Sequence, residues 1–279
     1  MLVSSKELFQ LAEEQNFAIP ATNFIDLDSA RTYVETAEKL NKPLILAFAE
    51  SHMELISLEE AALIGKYLAD KSSTPVVLHL DHGETESVIK KAIELGFSSV
   101  MIDASRDTIE ENIRKTKTIV EYAHARGVVV EAEIGHVGSG VNYETPEETD
   151  SIYTEVADAV RFVEETKVDS LAVSIGTAHG FYKGTPEINF VRLAEIHQAV
   201  SVPLVLHGGS SSGDDNLEKC AIGGISKINI FTDFLTAAIN KIKQNNPEDY
   251  LQLKALANKG MAETLTHYFE VFHTNEVAR

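Results

Sequence analysis

Cysteine is nearly absent from this 279-residue chain, tryptophan is absent altogether, and no apolar run reaches membrane-spanning length. Cys220 alone excludes an internal disulfide and a cysteine-built metal site, and it fits a reducing compartment. No segment approaches the roughly 18 uninterrupted apolar residues of a membrane helix. The first residues, MLVSSKELFQLAEEQ, put acids where a secretory signal needs an apolar core. Positive charge is scarce too: 24 Lys+Arg stand against 43 Asp+Glu, a formal net charge of −19. That field repels nucleic acid and anionic membrane, so a small anionic substrate needs a locally positive pocket. With 44% hydrophobic residues, 16 Gly and 7 Pro, the composition is that of a globular protein without low-complexity bias. The expectation is a cytoplasmic protein whose partners include neither nucleic acid nor membrane.

Short runs rich in Val, Ile and Leu alternate with stretches of helical period, the pattern of repeated βα units. The runs are Phe17–Ala21, Pro43–Phe48, Pro75–Leu80, Ser98–Ile102, Val128–Ala132, Ser170–Ile175, Pro203–Leu206 and Ile225–Ile230. Helix starts are marked by Ser4-x-x-Glu7, Ser57-x-x-Glu60 and Asp107-x-x-Glu110, where a side-chain oxygen accepts from free N–H groups of the first turn. Gly96 and Gly127 supply stops. In Glu84–Leu95, Val88, Ile89, Ala92 and Ile93 form one apolar stripe suited to packing on a sheet. Eight such units predict an α/β fold, a (β/α)8 TIM barrel spanning residues 1–279 as a single domain, with an extra C-terminal helix over Tyr250–Glu270. An open doubly wound sheet is the runner-up, but no G-x-G-x-x-G turn follows the first strand. Gly135–Asp150 breaks the rhythm and reads either as a lid or as a plain insertion.

Catalytic groups of such barrels come from the C-terminal ends of the strands. Here those positions hold Asn23, Glu50, Ser51, Asp81, His82, Asp103, Ser105, Glu133, His179, His207 and Asn229. Each alone is what a solvated loop carries, but so many imidazoles, carboxylates and amides on one rim ask for a metal. His82, His179 and His207 each lie beside glycine, and three neutral imidazoles suit Zn²⁺ with a fourth position left for substrate. His79 sits inside its strand and is expected to point into the barrel. Gly208, Gly209 and Ser210 follow the seventh strand, and Asn229, Ile230, Phe231 and Thr232 end the eighth before a helix. Phosphate sites in this fold use those two loops and a helix N-terminus. Lys183 is available as a counter-charge, or is merely solvated.

The blocks LHLDHGE, SVMIDAS, EAEIGHVG, AVSIGTAHG, PLVLHGGSS and KINIFTD, in this order, resemble the signature of class II, metal-dependent ketose-bisphosphate aldolases, closest to the fructose- and tagatose-bisphosphate branch. The resemblance implies reversible cleavage of a ketose 1,6-bisphosphate into dihydroxyacetone phosphate and an aldehyde, glyceraldehyde 3-phosphate. It implies zinc on His82, His179 and His207, with Asp103 and Glu133 at a second metal position or supporting the first. Asp81 matches the proton donor to the carbon-4 oxygen, the alternative being a partner that orients a ligand histidine. Asn23, Ser51, Gly180, Lys183, Gly208, Gly209, Ser210, Asn229, Ile230, Phe231 and Thr232 are implied to bind substrate. Relatives suggest a homodimer or homotetramer, and some depend on a companion subunit.

Departures from the pattern leave other readings open. The fifth loop, GHVGSGVNYE, puts Asn142 where an acid is expected, so Glu144 serves as base or the role falls elsewhere. The second-strand end, AFAESH, differs from the small-residue loop of the best-known fructose-bisphosphate enzymes, and the tail HTNEVAR lacks a clear distal phosphate motif, which leaves the aldehyde half open. One alternative is a Schiff-base aldolase using Lys227 in SKINI, which requires a desolvated lysine. Another is a non-catalytic partner subunit that binds sugar phosphate without turnover.

Overall fold

Side chains on a strand alternate between two faces, so a strand buried on both sides reads as a near-continuous apolar run. Eight such runs are strands in the computed structural model, which describes residues 1–135, 153–178 and 186–277. They are β1 (Ile19–Asn23), β2 (Leu44–Ala49), β3 (Val76–Gly83), β4 (Ser99–Ile102), β5 (Val129–Ile134), β6 (Ser170–Val173), β7 (Leu204–Leu206) and β8 (Ile225–Ile230). All pair in parallel and in sequence order, and β8 closes on β1 with Asn229 opposite Ala21. Among the described residues the α-helices are α1 (Ser5–Gln15), α2 (Leu27–Leu40), α3 (Leu58–Lys71), α4 (Glu86–Leu95), α5 (Ile109–His124), α6 (Val156–Thr166), α7 (Phe190–Ala199), α8 (Asp214–Ile222), α9 (Thr232–Asn245) and α10 (Tyr250–Val271). This is a (β/α)8 barrel with the extra C-terminal helix, and closure leaves no sheet edge exposed. Among the described residues no helix is long and apolar enough to cross a membrane.

Alternation splits the core in two. Leu44, Leu46, Val76 and Leu78 face outward and pack with Ala30, Ala37, Leu68 and Ile89 of the surrounding helices. Ile19, Ala21, Ile45 and Val77 face inward and meet Leu8, Phe9 and Ala12 of α1. Each such side chain contributes on the order of 1.5–3 kcal/mol when fully buried, and α1 thereby floors the barrel. Further along the same inward rows apolar residues give way to polar ones. Ile19 and Ala21 lead to Asn23, and Val77 leads to His79 and Asp81. Val129 leads to Glu131 and Glu133. The polar half of the interior is where chemistry is built.

Local signals behave as expected at most ends. Ser57 and Glu60 form a capping box, and Gly96 ends α4 at φ +95°. The start of α5 differs from expectation: Thr108, not Asp107, accepts from the Glu111 N–H, while the Asp107 carboxylate takes the Lys115 ammonium at 2.7 Å. The first strand begins at Ile19 rather than Phe17, because Phe17 packs into the floor.

Candidate active site

Neighbours on a regular strand face opposite ways, so Asp81 and His82 cannot both enter the barrel without an irregularity. His82 supplies it with φ +44°, and the ladder to β4 shifts register between Leu80 and Gly83. The left-handed conformation costs a non-glycine residue roughly 1–2 kcal/mol, a strain of the kind stored at functional sites. Gly83 must follow, because a Cβ there would lie 2.5 Å from the Met101 carbonyl oxygen.

The bulge brings His82 from β3 against His207 from the end of β7, with Nε2 of the first 2.8 Å from Nδ1 of the second. Their other nitrogens are fixed by carboxylates. His82 Nδ1 lies 2.7 Å from Asp103 Oδ2, and His207 Nε2 lies 3.0 Å from Glu131 Oε1. Burial opposes ionisation of both acids, yet the cationic and hydrogen-bonding groups around them hold both below the usual carboxylate range. Ionised carboxylates only accept, so His82 carries its proton on Nδ1 and His207 on Nε2. The facing nitrogens are then two lone pairs at contact distance, a donor set that calls for a shared cation. A proton can serve. Burial works against it, but Asp81, Asp103 and Glu133 push His82 up to about 9. A divalent ion can serve as well: Asp81 offers an oxygen within 4.8 Å of nitrogens of both His82 and His207, and Glu133 one within that distance of a His82 nitrogen.

Asp81 is oriented by two amides: Asn23 Nδ2 donates to its Oδ2 and Asn229 Nδ2 to its Oδ1, each at 2.9 Å. Burial would neutralise this carboxyl, but His82, His207, Lys227 and His79 surround it and draw its pKa well down. It therefore rests ionised and ready to take a proton.

Below lies a buried ion pair. Lys227 Nζ donates to both Glu131 oxygens at 2.8 Å and to His79 Nε2 at 3.1 Å, while His79 Nδ1 meets Ser99 Oγ at 2.8 Å. His79, Asp81 and Glu131 also lie close enough to share a metal, but the lysine ammonium already supplies the positive charge there.

Above, a cavity of about 590 Å³ is lined by Asn23, Ser51, Asp81, His82, Asp103, Glu133, Gly208, Ser210, Asn229, Phe231 and Thr232, and also by Glu50, His52, Glu84 and Arg106. Gly208 has φ +66°, and a Cβ at Gly209 would crowd the Asn229 carbonyl oxygen at 2.8 Å. Ser210 Oγ accepts from Phe231 N–H at 3.0 Å and so ties the glycine loop to the start of α9. Among the described residues, the N–H groups of Ser210 and Thr232 donate to no protein atom, which leaves them for an anion.

The sequence profile of class II fructose-bisphosphate aldolases matches residues 3–276. The chain belongs to that family. The solved YdjI aldolase of Escherichia coli K12 is 34% identical, with 98% of each chain covered and a TM-score of 0.89. A fructose-bisphosphate aldolase of Campylobacter jejuni is 23% identical over 99% of this chain and 97% of its own, with a TM-score of 0.84; at that identity the likeness speaks for the fold.

In this class II aldolase the expected residues His82, Asp103, Glu133, Asp81, Asn23, Asn229, Ser51, Gly208, Ser210, Phe231 and Thr232 share one cavity, and His207 lies fully buried behind its wall, in contact with His82. Gly209 lies in its loop, and the Ile230 side chain packs outward in the core. Glu144, His179, Gly180 and Lys183 lie outside the described residues. The Schiff-base alternative is corrected by the class II family match, and Lys227 is fully buried outside the cavity lining, bound to both Glu131 oxygens and to His79. Sequence reasoning missed Glu131, though a charged residue inside the apolar strand VVEAEI signals a buried partner. It also missed His52 and Arg106, which only the fold brings to the cavity.

Proposed function

We propose that the chain is a zinc-dependent aldolase cleaving a ketose 1,6-bisphosphate, of fructose or tagatose configuration, reversibly into dihydroxyacetone phosphate and glyceraldehyde 3-phosphate. The observation carrying this reading is the pair of imidazoles whose nitrogens, His82 Nε2 and His207 Nδ1, face each other 2.8 Å apart beside the ionised Asp81. His82 Nε2 and His207 Nδ1 would hold the ion, with His179 as the third imidazole, and an all-nitrogen set of this kind suits zinc. When bound, the ion acts as a Lewis acid toward the ketose oxygens and stabilises the charge left by carbon–carbon cleavage, worth several kcal/mol.

The protein's own groups do the rest. Both Asp103 oxygens are occupied, by His82 and Ser105, so its role is to orient His82. Asp81, aimed by Asn23 and Asn229, takes the proton from the carbon-4 hydroxyl during cleavage and returns it to the aldehyde oxygen during condensation. The N–H groups of Ser210 and Thr232, with Lys183, hold the phosphate of the triose half. Glu144 moves the proton on the triose phosphate carbon.

The test is to load the protein with zinc, offer a panel of ketose phosphates and follow triose phosphate release by a coupled assay. Chelator-sensitive release supports the reading. Release that survives complete metal removal overturns it, as does no release from any ketose phosphate.

A further inference from the structure

A ketose with a charged group at each end needs an anchor at each end, and this rim is poor in cations. Along the segments that join each strand to the next described helix, the basic residues are Arg106 and Lys183. Acids are frequent there: Glu50, Glu54, Glu84, Asp103 and Asp107 lie in the second to fourth segments alone. Among the described residues of these segments, Arg106 is the one Lys or Arg that a distal anion can meet.

The geometry points to Arg106 as the anchor for a terminal anion on the aldehyde half of the substrate. In the closed order β1 to β8, β4 stands half a turn from β8. The free N–H groups of Ser210 and Thr232 flank β8, whereas Arg106 follows β4, and both groups line the same cavity. The His82 and His207 imidazoles lie between them, carried by β3 and β7. A ketose held by its phosphate at the β8 side and by its oxygens over the imidazoles presents its far end to β4.

The acids beside Arg106 in the sequence are already engaged. Asp107 binds Lys115 at 2.7 Å, and Asp103 binds His82 and Ser105. Glu50 Oε2 accepts from the N–H groups of Glu84 and Thr85 at 2.8 and 3.0 Å. Among the described residues, the Arg106 guanidinium makes no ion pair and no hydrogen bond. Its planar fork matches phosphate or carboxylate through two parallel bonds, chemistry that lysine does not reproduce. Arg106 thus sets which aldehyde the enzyme accepts, while the residues on the β7 and β8 side read the part shared by all substrates. This assignment rests on the aldolase reading above.

The test compares wild type, Arg106→Ala and Arg106→Lys on fructose 1,6-bisphosphate, on the 1-phosphate carrying a carboxylate at carbon 6, and on fructose 1-phosphate, whose tail is neutral. Lys117→Ala, an exposed charge paired with Glu165 on the outer face of α5, controls for loss of overall positive charge. Arg106→Ala should raise KM for a terminally anionic substrate about tenfold or more relative to fructose 1-phosphate, the scale of a lost charge-assisted hydrogen bond. The kcat should change less than KM, Arg106→Lys should recover part of the loss, and Lys117→Ala should leave the ratio unchanged. The anionic substrate with the larger effect identifies phosphate or carboxylate as the natural tail. An unchanged anionic-to-neutral KM ratio in Arg106→Ala overturns the assignment, and so does an equal shift in Lys117→Ala. If wild type releases triose phosphate from none of the three, the aldolase reading fails instead. Calorimetric binding of fructose 1,6-bisphosphate and fructose 1-phosphate then decides Arg106: a loss confined to the bisphosphate in Arg106→Ala supports the anchor, and equal affinities reject it.

Discussion

Asp103 accepts the Nδ1–H of His82 at 2.7 Å and so determines which nitrogen of His82 faces His207. Removing that carboxylate frees the ring to change tautomer. Asp103→Ala should weaken zinc affinity about 10–100-fold, the usual cost of losing the partner of a ligand histidine. Competition against a chelator of known affinity measures it, and an unaltered affinity would remove Asp103 from the metal site.

His207→Ala and Asp81→Ala should separate two functions. The first deletes a nitrogen donor, so metal content and activity should fall together. The second should keep its metal and lose about 10²–10⁴-fold in kcat, the range for a positioned acid–base group. Metal analysis beside steady-state rates tests both, and an Asp81→Ala protein of normal rate rejects the assigned proton carrier.

Lys227→Met leaves the Glu131 carboxylate buried without its ammonium and should destabilise the protein by about 3–5 kcal/mol. Adding Glu131→Gln should recover part of the loss. Urea unfolding of the single and double variants reads this. Borohydride with substrate should trap no adduct on wild-type Lys227.

Stability of the metal-free protein should peak near pH 6.5. His79, buried and beside Lys227, is held down to about 3, against an unfolded value of about 6.5. The unfolded chain therefore takes the proton first, and stability present above about 6.5 is lost as pH falls toward 3, by up to about 1.4 kcal/mol per pH unit. His82 runs the other way: at about 9 in the folded protein, it contributes below 6.5 and that contribution fades as pH rises through 9. Zinc takes the place of the His82 proton and should flatten the alkaline limb alone. Melting temperatures from pH 4 to pH 10 with zinc or with chelator check the asymmetry; an alkaline limb indifferent to zinc would contradict it.

Glu144→Gln should stop exchange of dihydroxyacetone phosphate protons with solvent while zinc remains bound. Exchange at the wild-type rate, followed by proton NMR in deuterated buffer, would assign that proton to another group.

Much of this was legible in the sequence because the signals were redundant. Eight apolar runs with glycine stops define the barrel even though Phe17 belongs to the floor and not to β1, since a floor residue and a strand residue are equally apolar. At the start of α5 two cap residues stand side by side, and the choice of Thr108 over Asp107 depends on Lys115, a helix turn and more away. The left-handed turn at His82 had no local mark, because nothing distinguishes a histidine in a bulge from one in a regular strand. Partners such as Asn23 and Asn229 for Asp81 come from strands far apart in the chain, and only closure of the barrel makes them neighbours.

Leu8, Phe9 and Ala12 of α1, set against Ile19, Ile45 and Val77, make the barrel a blind well. Reactants and products consequently share a single doorway, so one fragment has to clear it before the next ketose can settle. Lys227 and Glu131, buried above that floor, have no back route to solvent either, and whatever fills the mouth also seals the depths.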